Sequence, residues 1–238
     1  MIKKIHQQTR TLLFKKNKED WPYLVQVILL FVLLGFPIYG GSVISNEVIA
    51  FNILFIVFIF YGVILLETPS ILLLVSGIGA IVVLLLKSTG QEIQSEMIRY
   101  WVARVELIFP IIYFGLLGLR LVGDTLAEKV SAKLLYISIA NYFTIGILFS
   151  FIFQLIHLTD VHAFNFPPEI KYNYLYMSFI IMSTVGLGDM LPLSMAAKSA
   201  IIIESISGQL YLTFFVAIII GKFLAENSQK NSQSNENQ

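Results

Sequence analysis

The six residues Thr184-Val185-Gly186-Leu187-Gly188-Asp189 are of types and spacing that could bind a cation. Glycines at alternate positions permit positive φ angles, so successive main-chain carbonyl oxygens can turn toward one axis. Such a ribbon is a ladder of oxygen ligands. The segment is too polar and glycine-rich for the interior of a spanning helix, and irregular backbone at membrane depth is tolerated only when buried in protein or lining a water-filled path. The hexapeptide is therefore a candidate pore element.

The composition is that of an integral membrane protein. Of the 238 residues, 57% are hydrophobic and only 13% are charged, which is far less polar surface than a soluble domain of this size carries. The net charge of +1 gives no indication of nucleic-acid binding, and the chain has no cysteine for disulfides, thiolate metal sites or nucleophiles. We find no nucleophile with its base, no nucleotide loop and no catalytic zinc motif, so we expect neither enzymatic activity nor a cofactor.

Six apolar segments approach the length of about twenty residues that a hydrocarbon core requires. They are residues 21–39, 48–66, 70–86, 101–122, 134–157 and 195–225. The run from Tyr174 to Met182, just before the hexapeptide, is too short to cross a bilayer. We therefore predict an all-α membrane protein of six transmembrane helices, with a short re-entrant helix and loop between helices 5 and 6.

The distribution of lysine and arginine predicts the orientation in the cell membrane. A basic cytoplasmic head at residues 1–20 and a cytoplasmic linker at 123–133 hold eight of the 16 basic residues, and Arg120, Lys222 and Lys230 bring the number on the inner side to 11, as the positive-inside rule favours. Both termini of this multi-pass protein are then cytoplasmic. The polar tail, residues 226–238, is predicted to be disordered. Regulation is expected to act on the membrane part, or through a lipid or an unknown regulatory subunit.

The stretch from Tyr176 to Pro192 resembles the pore helix, selectivity filter and following loop of potassium channels. The usual pattern in that family is Thr-Val-Gly-Tyr-Gly-Asp with a proline three residues beyond the Asp. The resemblance covers roughly Leu134 to Ala225 and implies a homotetramer, because each chain supplies one filter strand. It also implies a pore domain at 134–225, which divides into an outer helix, a pore helix, a filter and an inner helix at residues 134–157, 173–183, 184–189 and 195–225.

The resemblance implies that potassium ions bind at the main-chain carbonyls of Thr184, Val185, Gly186 and Leu187, with Gly188 completing the filter. The Thr184 hydroxyl would be the innermost ligand. Potassium is then the permeant ligand, not a cofactor. Asp189 lies at the outer mouth, where it either raises the local cation concentration or holds the filter in shape. Asn173 is expected to cap the short helix.

Four residues depart from the patterns found in this family. Leu187 stands where tyrosine is usual, and a leucine can brace the filter only by packing. Ile180 stands where some relatives carry a glutamate, so a carboxyl pair with Asp189 is absent. Tyr176 and Met177 replace an aromatic pair. We expect ion coordination to survive, because it uses carbonyls, and the filter to be less rigid.

Gly208 lies where the resemblance implies a hinge in the inner helix, and close packing against the pore helix is an equally good interpretation. Leu212, Val216 and Ile220 recur at helical spacing and are candidates for the cavity and inner gate. Glu204, a carboxylate within the same span, is a functional candidate by its position. A hydrogen bond that fixes the pore loop is the alternative.

Residues 21–122 have the layout of a four-helix voltage-sensor-like domain, but the charges that a sensor needs are missing. The fourth helix offers Arg104 and Arg120, with Arg99 just before it, instead of an arginine at every third position. Moving one charge across the membrane is worth about 2.3 kcal/mol per 100 mV, so steep gating needs several charges per subunit. We expect weak voltage dependence or none.

The predicted function is passive, potassium-selective conduction. Leu187 leaves open a cation channel of relaxed selectivity, and a nonconducting structural membrane protein is a third possibility. A potassium transporter of related filter design would need four pore repeats in one chain, and this sequence has one. His157, Asp160 and His162 could titrate or bind zinc, although a solvated loop before the pore helix explains them as well.

Overall fold

The computed structural model describes residues 23–32, 57–58, 78–79, 96–166 and 173–236. These residues are mainly helical. In chain order the elements are α1 (Tyr23–Val32), α2 (Glu96–Ala127), α3 (Ala132–Thr159), β1 (Phe164–Asn165), α4 (Tyr174–Met182), β2 (Leu191–Pro192) and α5 (Met195–Glu236). Within these described ranges, three segments are long and apolar enough to cross a membrane: Trp101–Ala127, Ala132–Thr159 and Met195–Ala225.

These three segments correspond to the fourth, fifth and sixth predicted spans. The first predicted span is helical over Tyr23–Val32. The basic head lies outside the described residues. Of the second and third predicted spans, the structure describes only residues 57–58 and 78–79, which are helical. A mostly helical membrane protein is thus supported, and the number of six spans stays a prediction.

Two predicted boundaries differ from the structure. Helix α2 continues to Ala127, so the loop before α3 is shorter than the predicted linker at 123–133. Residues 123–127 contain no proline, and extending an existing helix costs less free energy than starting a new one, so α2 continues through them. For the same reason α5 runs on to Glu236, through most of the tail for which the composition predicts disorder. Helix α3 starts at a cap, where the Ser131 hydroxyl accepts from the Leu134 N–H at 3.3 Å.

Helices α2 and α3 pack against each other around an apolar cluster that also holds part of α1. Its aromatic members stack: the rings of Phe58 and Phe114 lie 6.0 Å apart, and those of Phe114 and Phe151 lie 5.8 Å apart. The buried residues of this cluster are Val27, Leu30, Phe58, Tyr113, Phe114, Leu117, Leu121, Ile137, Ala140 and Ile147. Burial of this apolar surface fixes α3, which supports the elements that follow.

The short helix α4 is wedged between α3 and α5. A Cβ atom at Gly146 of α3 would lie 2.7 Å from Cζ of Phe179, so glycine is what lets that ring approach. Likewise a Cβ at Gly208 of α5 would lie 3.3 Å from the Met182 carbonyl oxygen and closer still to its side chain. Small residues on both neighbours therefore allow α4 to sit close to them.

The segments on either side of α4 are tied together. Strands β1 and β2 form an antiparallel pair in which Phe164 faces Pro192. The N–H groups of Leu193 and Ser194 both donate to the Ala163 carbonyl, at 2.8 and 3.2 Å. A second apolar cluster joins these loops to α3, α4 and α5. Its buried residues are Phe149, Phe153, Ala163, Phe164, Met177, Met190, Ala197 and Ala200. The loop after the hexapeptide is thus anchored to the loop before α4.

Lys222 joins the far end of α5 to the end of α2. Its ammonium group donates to the carbonyls of Thr125 and Leu126, at 3.0 and 2.9 Å, and also to that of Glu128. The last carbonyls of a helix lack partners within it and carry negative partial charge. Lys222 therefore caps α2 from another helix.

Candidate ion-conduction site

Helix α4 has defined ends. The Asn173 side chain accepts from the Tyr176 N–H at 3.0 Å, which confirms the predicted N-cap. At the other end the N–H and hydroxyl of Ser183 both donate to the Phe179 carbonyl, at 3.0 and 2.6 Å. The predicted pore helix, residues 173–183, is therefore the nine-residue helix Tyr174–Met182 with its two caps.

The chain after α4 alternates in backbone conformation. Thr184, Gly186 and Gly188 have φ angles of 62°, 52° and 74°. No other described residue has a positive φ, so the φ angles of Val185 and Leu187 are negative. The predicted positive φ at both glycines is confirmed. At Thr184 it was not foreseen, because β-branched residues rarely adopt it.

Three N–H groups of this segment point back to the end of α4. Thr184 donates to the Ile181 carbonyl at 2.9 Å, and Val185 and Gly186 both donate to the Ile180 carbonyl at 3.0 Å. When residues alternate between left- and right-handed conformations, their N–H groups line one side of the ribbon. The N–H groups of residues 184–186 therefore face the end of α4.

The residues from Ser183 to Gly188 are all exposed in the single chain. The described residues of the single chain therefore leave this segment uncovered. Main-chain carbonyl oxygens are ligands that suit a hard monovalent or divalent cation, because they can replace its water.

Asp189 is held by α4. Its Oδ2 atom accepts from the Tyr176 hydroxyl at 2.8 Å, and this hydrogen bond raises the pKa of the Tyr176 phenol, so tyrosine remains the donor. Asp189 is half-buried. The geometry favours the interpretation that Asp189 holds the loop in shape. The sequence alone did not identify Tyr176 as the partner of Asp189. The position of this tyrosine on the short helix, thirteen residues before Asp189, could have indicated it.

Leu187 is largely uncovered by the described part of its own chain. The residue is 63% exposed. The packing expected of a leucine at this position is therefore missing among the described residues, and the tie to α4 runs through Tyr176 and Asp189 instead.

On α5, Gly208 packs against the end of α4 as described above, which agrees with the close-packing interpretation. The helix is continuous through it. Leu212, Val216 and Ile220 are each exposed by 40% or more. They lie on one face, as their spacing predicts, and contribute little to the core of the single chain.

The arginines of α2 lie toward its two ends. Arg104 and Arg120 are separated by sixteen residues, which is about 24 Å along a helix. Arg104 Nη2 lies 3.5 Å from the Leu158 carbonyl, and Arg120 Nε lies 3.3 Å from Oδ1 of Asp124. The helix continues across Pro110. The side chains of Arg99 and Glu106 lie outside what the structure describes.

The two histidines near the end of α3 contact residues of the loop before α4 and the start of α4. The His157 ring packs against Phe166 and Tyr174, with centroids 5.7 and 5.9 Å apart, and the His162 N–H donates to Asp160 Oδ1 at 3.0 Å. Within the described part of the chain, no group of three His, Asp or Glu side chains could hold a metal ion.

Comparison with known families gives one match. Residues 142–225, from α3 through the apolar part of α5, match a family model described as "Ion channel". An ion-channel family is not an enzyme family, in agreement with the absence of catalytic motifs from the sequence. No curated protein and no solved structure matches the chain. The match and the three apolar helices indicate a membrane protein with an ion-channel domain.

Proposed function

We propose that four copies of this chain form a potassium-selective channel that conducts passively through a filter of backbone carbonyls. The observation that carries the proposal is the alternation of φ from Thr184 to Gly188, together with the N–H groups turned toward α4. In this proposal the carbonyls of Thr184, Val185, Gly186 and Leu187 face the side away from α4. There they can replace the water of a potassium ion, with the Thr184 hydroxyl as the innermost ligand.

The exposed surface of α5 supports a homotetramer in a lipid bilayer. Apolar side chains cover several sides of this helix and are exposed in the single chain, among them Ile202, Ile206, Leu210, Phe214 and Phe223. A helix that is apolar nearly all round is normally buried in protein or lipid. One ribbon supplies only one side of an ion's coordination shell. Three further chains around the same axis would complete the shell and cover part of α5.

The six-span arrangement and the orientation belong to this proposal. The three candidate spans account for the fourth, fifth and sixth helices, and the excess of lysine and arginine on the predicted inner side supports cytoplasmic termini in the cell membrane. Weak or absent voltage dependence is supported by the positions of Arg104 and Arg120 near the ends of α2.

Exchange of a single glycine tests the filter directly. Gly186→Ala adds a methyl group where nothing lies within 4 Å but φ is +52°, so the expected effect is on the backbone conformation and not on packing. We expect potassium flux into liposomes to fall by about tenfold or more, which corresponds to about 1.4 kcal/mol.

Gly123→Ala is the matched control. Gly123 of α2 also has nothing within 4 Å of an added Cβ, and its φ is not positive. This variant should carry wild-type flux. Equal flux through Gly186→Ala, Gly123→Ala and the wild type would contradict a conduction path along this backbone, and an inert wild-type tetramer would favour a structural membrane protein.

A cation channel of relaxed selectivity is the second candidate, favoured by the exposed side chain of Leu187. A filter without packing at this position has fewer restraints on its diameter. A sodium permeability close to that of potassium would favour the channel of relaxed selectivity over the potassium-selective one.

A further inference from the structure

A buried hydroxyl and a buried carboxyl group join α4 to both of its neighbours. The Ser178 Oγ atom of α4 lies 2.7 Å from the Gly146 carbonyl oxygen of α3 and is also hydrogen-bonded to Oε1 of Glu204 on α5. Ser178 and Glu204 are both 0% exposed. The three groups thus form a chain of contacts across the α3–α4–α5 junction.

A count of hydrogens shows which form of Glu204 satisfies these contacts. A serine hydroxyl has one hydrogen to donate, and a carbonyl and an ionised carboxylate have none. If Ser178 donates to Gly146, its contact with Glu204 needs a hydrogen from the acid. The relay is complete when Glu204 O–H donates to Ser178 Oγ and Ser178 O–H donates to the Gly146 carbonyl.

Among the described residues, the surroundings of Glu204 offer no cation to balance a negative charge. Helix α4 has no charged residue. Helix α3 faces Glu204 with the Tyr142 phenol, and its lysine, Lys133, is near the opposite end. On α5 itself the nearest basic residue is Lys198, six residues earlier. Glu204 Oε2 is buried without a partner among the described residues. An unpaired carboxylate in such a place is costly, whereas a neutral acid is tolerated.

We propose that Glu204 is a proton-binding site whose occupancy holds α4 in place and thereby controls conduction through the ribbon that follows it. The proposal rests on the proposed function for its effect on current. Ser178 lies two residues before Ile180, whose carbonyl accepts from Val185 and Gly186. A shift of α4 is therefore passed directly to the backbone of the filter.

The direction of the effect follows from the relay. Loss of the proton leaves the Gly146 carbonyl and the Glu204 carboxylate in competition for the one hydrogen of Ser178, and it places a charge in an apolar junction. The restraint is present while Glu204 is protonated and is lost as the pH rises. Potassium current should therefore decrease from mildly acidic to alkaline pH.

The test uses the full chain in planar bilayers, with potassium current measured across this pH range. The wild type should lose at least about fivefold of its current, the lower end of usual coupling between sites. Glu204→Gln keeps a donor for Ser178 at every pH, so its current should stay high and flat. Ser178→Ala breaks the relay and should give a low current with a flat profile.

Two control variants exclude other titrating groups. Tyr142→Phe removes the phenol that faces Glu204, and Glu128→Gln removes a carboxylate that is paired with Lys133 at 3.0 Å, away from the junction. Both should keep the wild-type pH profile. A profile that is flat in the wild type, or that Glu204→Gln leaves unchanged, overturns the proposal.

Infrared difference spectroscopy of the same samples separates this proposal from the proposed function. A protonated buried acid gives a carboxyl C=O band that should disappear at alkaline pH and be missing from Glu204→Gln. Absence of this band from the wild type at acidic pH overturns the proton site. A band that behaves as expected in a protein without potassium current would support the proton site and contradict the channel function.

Discussion

At the scale of residues, Thr184 begins the ribbon in a conformation that its side chain disfavours. A β-branched residue at a φ of 62° costs on the order of 1–3 kcal/mol. The hydrogen bonds of Thr184, Val185 and Gly186 to the last carbonyls of α4 hold it there. Glycine at 184 would relieve the strain, but it would remove the hydroxyl that we assign as the innermost ligand. Under the proposed function, the ligand that threonine would supply offsets this strain.

The hydrogen bond from Tyr176 to Asp189 is expected to keep the filter in its conducting form. Tyr176→Phe removes it while retaining the ring, and hydrogen bonds to charged groups contribute about 1.5–3 kcal/mol. We expect potassium current to decay faster during sustained conduction and sodium permeability to rise. Single-channel recording of the variant and the wild type measures both.

The control for this variant is Tyr136→Phe, which removes a hydroxyl from α3 at the first apolar cluster, away from the filter. Its current should decay as in the wild type. If Tyr176→Phe conducts as steadily as Tyr136→Phe, Asp189 does not hold the filter through Tyr176.

The contacts of single side chains were only partly predictable. Asn173 and the two glycines act within their own segment, so residue type and spacing were sufficient to predict the cap and the positive φ angles. The Tyr176–Asp189 and Ser178–Glu204 bonds join different segments. They depend on how α4 is rotated and seated between α3 and α5, which the hydrophobic pattern of a nine-residue helix does not specify.

At the scale of elements, the position of α4 depends on close approach to two neighbours. Gly146 admits the Phe179 ring on one side, and Gly208 admits Met182 on the other. The length of α4 could be read from the sequence, because Asn173 marks its start and the glycine-rich segment follows its end. The helical continuation of α5 to Glu236 could not be predicted from the sequence. Polar residues that cannot form a core can still extend an existing helix.

Helix α2 leads to a prediction about voltage. Arg104 lies near the end of α3 and Arg120 is paired with Asp124, so neither is placed as part of a ladder through the membrane. We expect fewer than about two gating charges per subunit, because three scattered arginines are too few for steep gating. The slope of open probability against voltage in planar bilayers measures this charge. A steep slope would show that residues outside the described part of the chain, or Arg99, form a working sensor.

At the scale of the whole molecule, the single chain leaves two surfaces incomplete. Among the described residues, Ser183 to Gly188 are exposed in the single chain, and α5 exposes apolar side chains on several faces. Fourfold assembly around the ribbon would close the first surface and part of the second, and lipid would cover the rest. Composition was sufficient to predict a membrane protein, and the hexapeptide with its flanking helices to predict an ion-channel domain.

The central claim, that this protein is a potassium-selective channel, is tested most directly by the reversal potential of the purified protein in a bilayer with a potassium gradient and sodium as the balancing cation. A selective pore should reverse about 59 mV from zero for each tenfold gradient of this monovalent ion. We expect the wild type to follow that slope. A reversal potential that stays near zero as the potassium gradient is increased would contradict potassium selectivity.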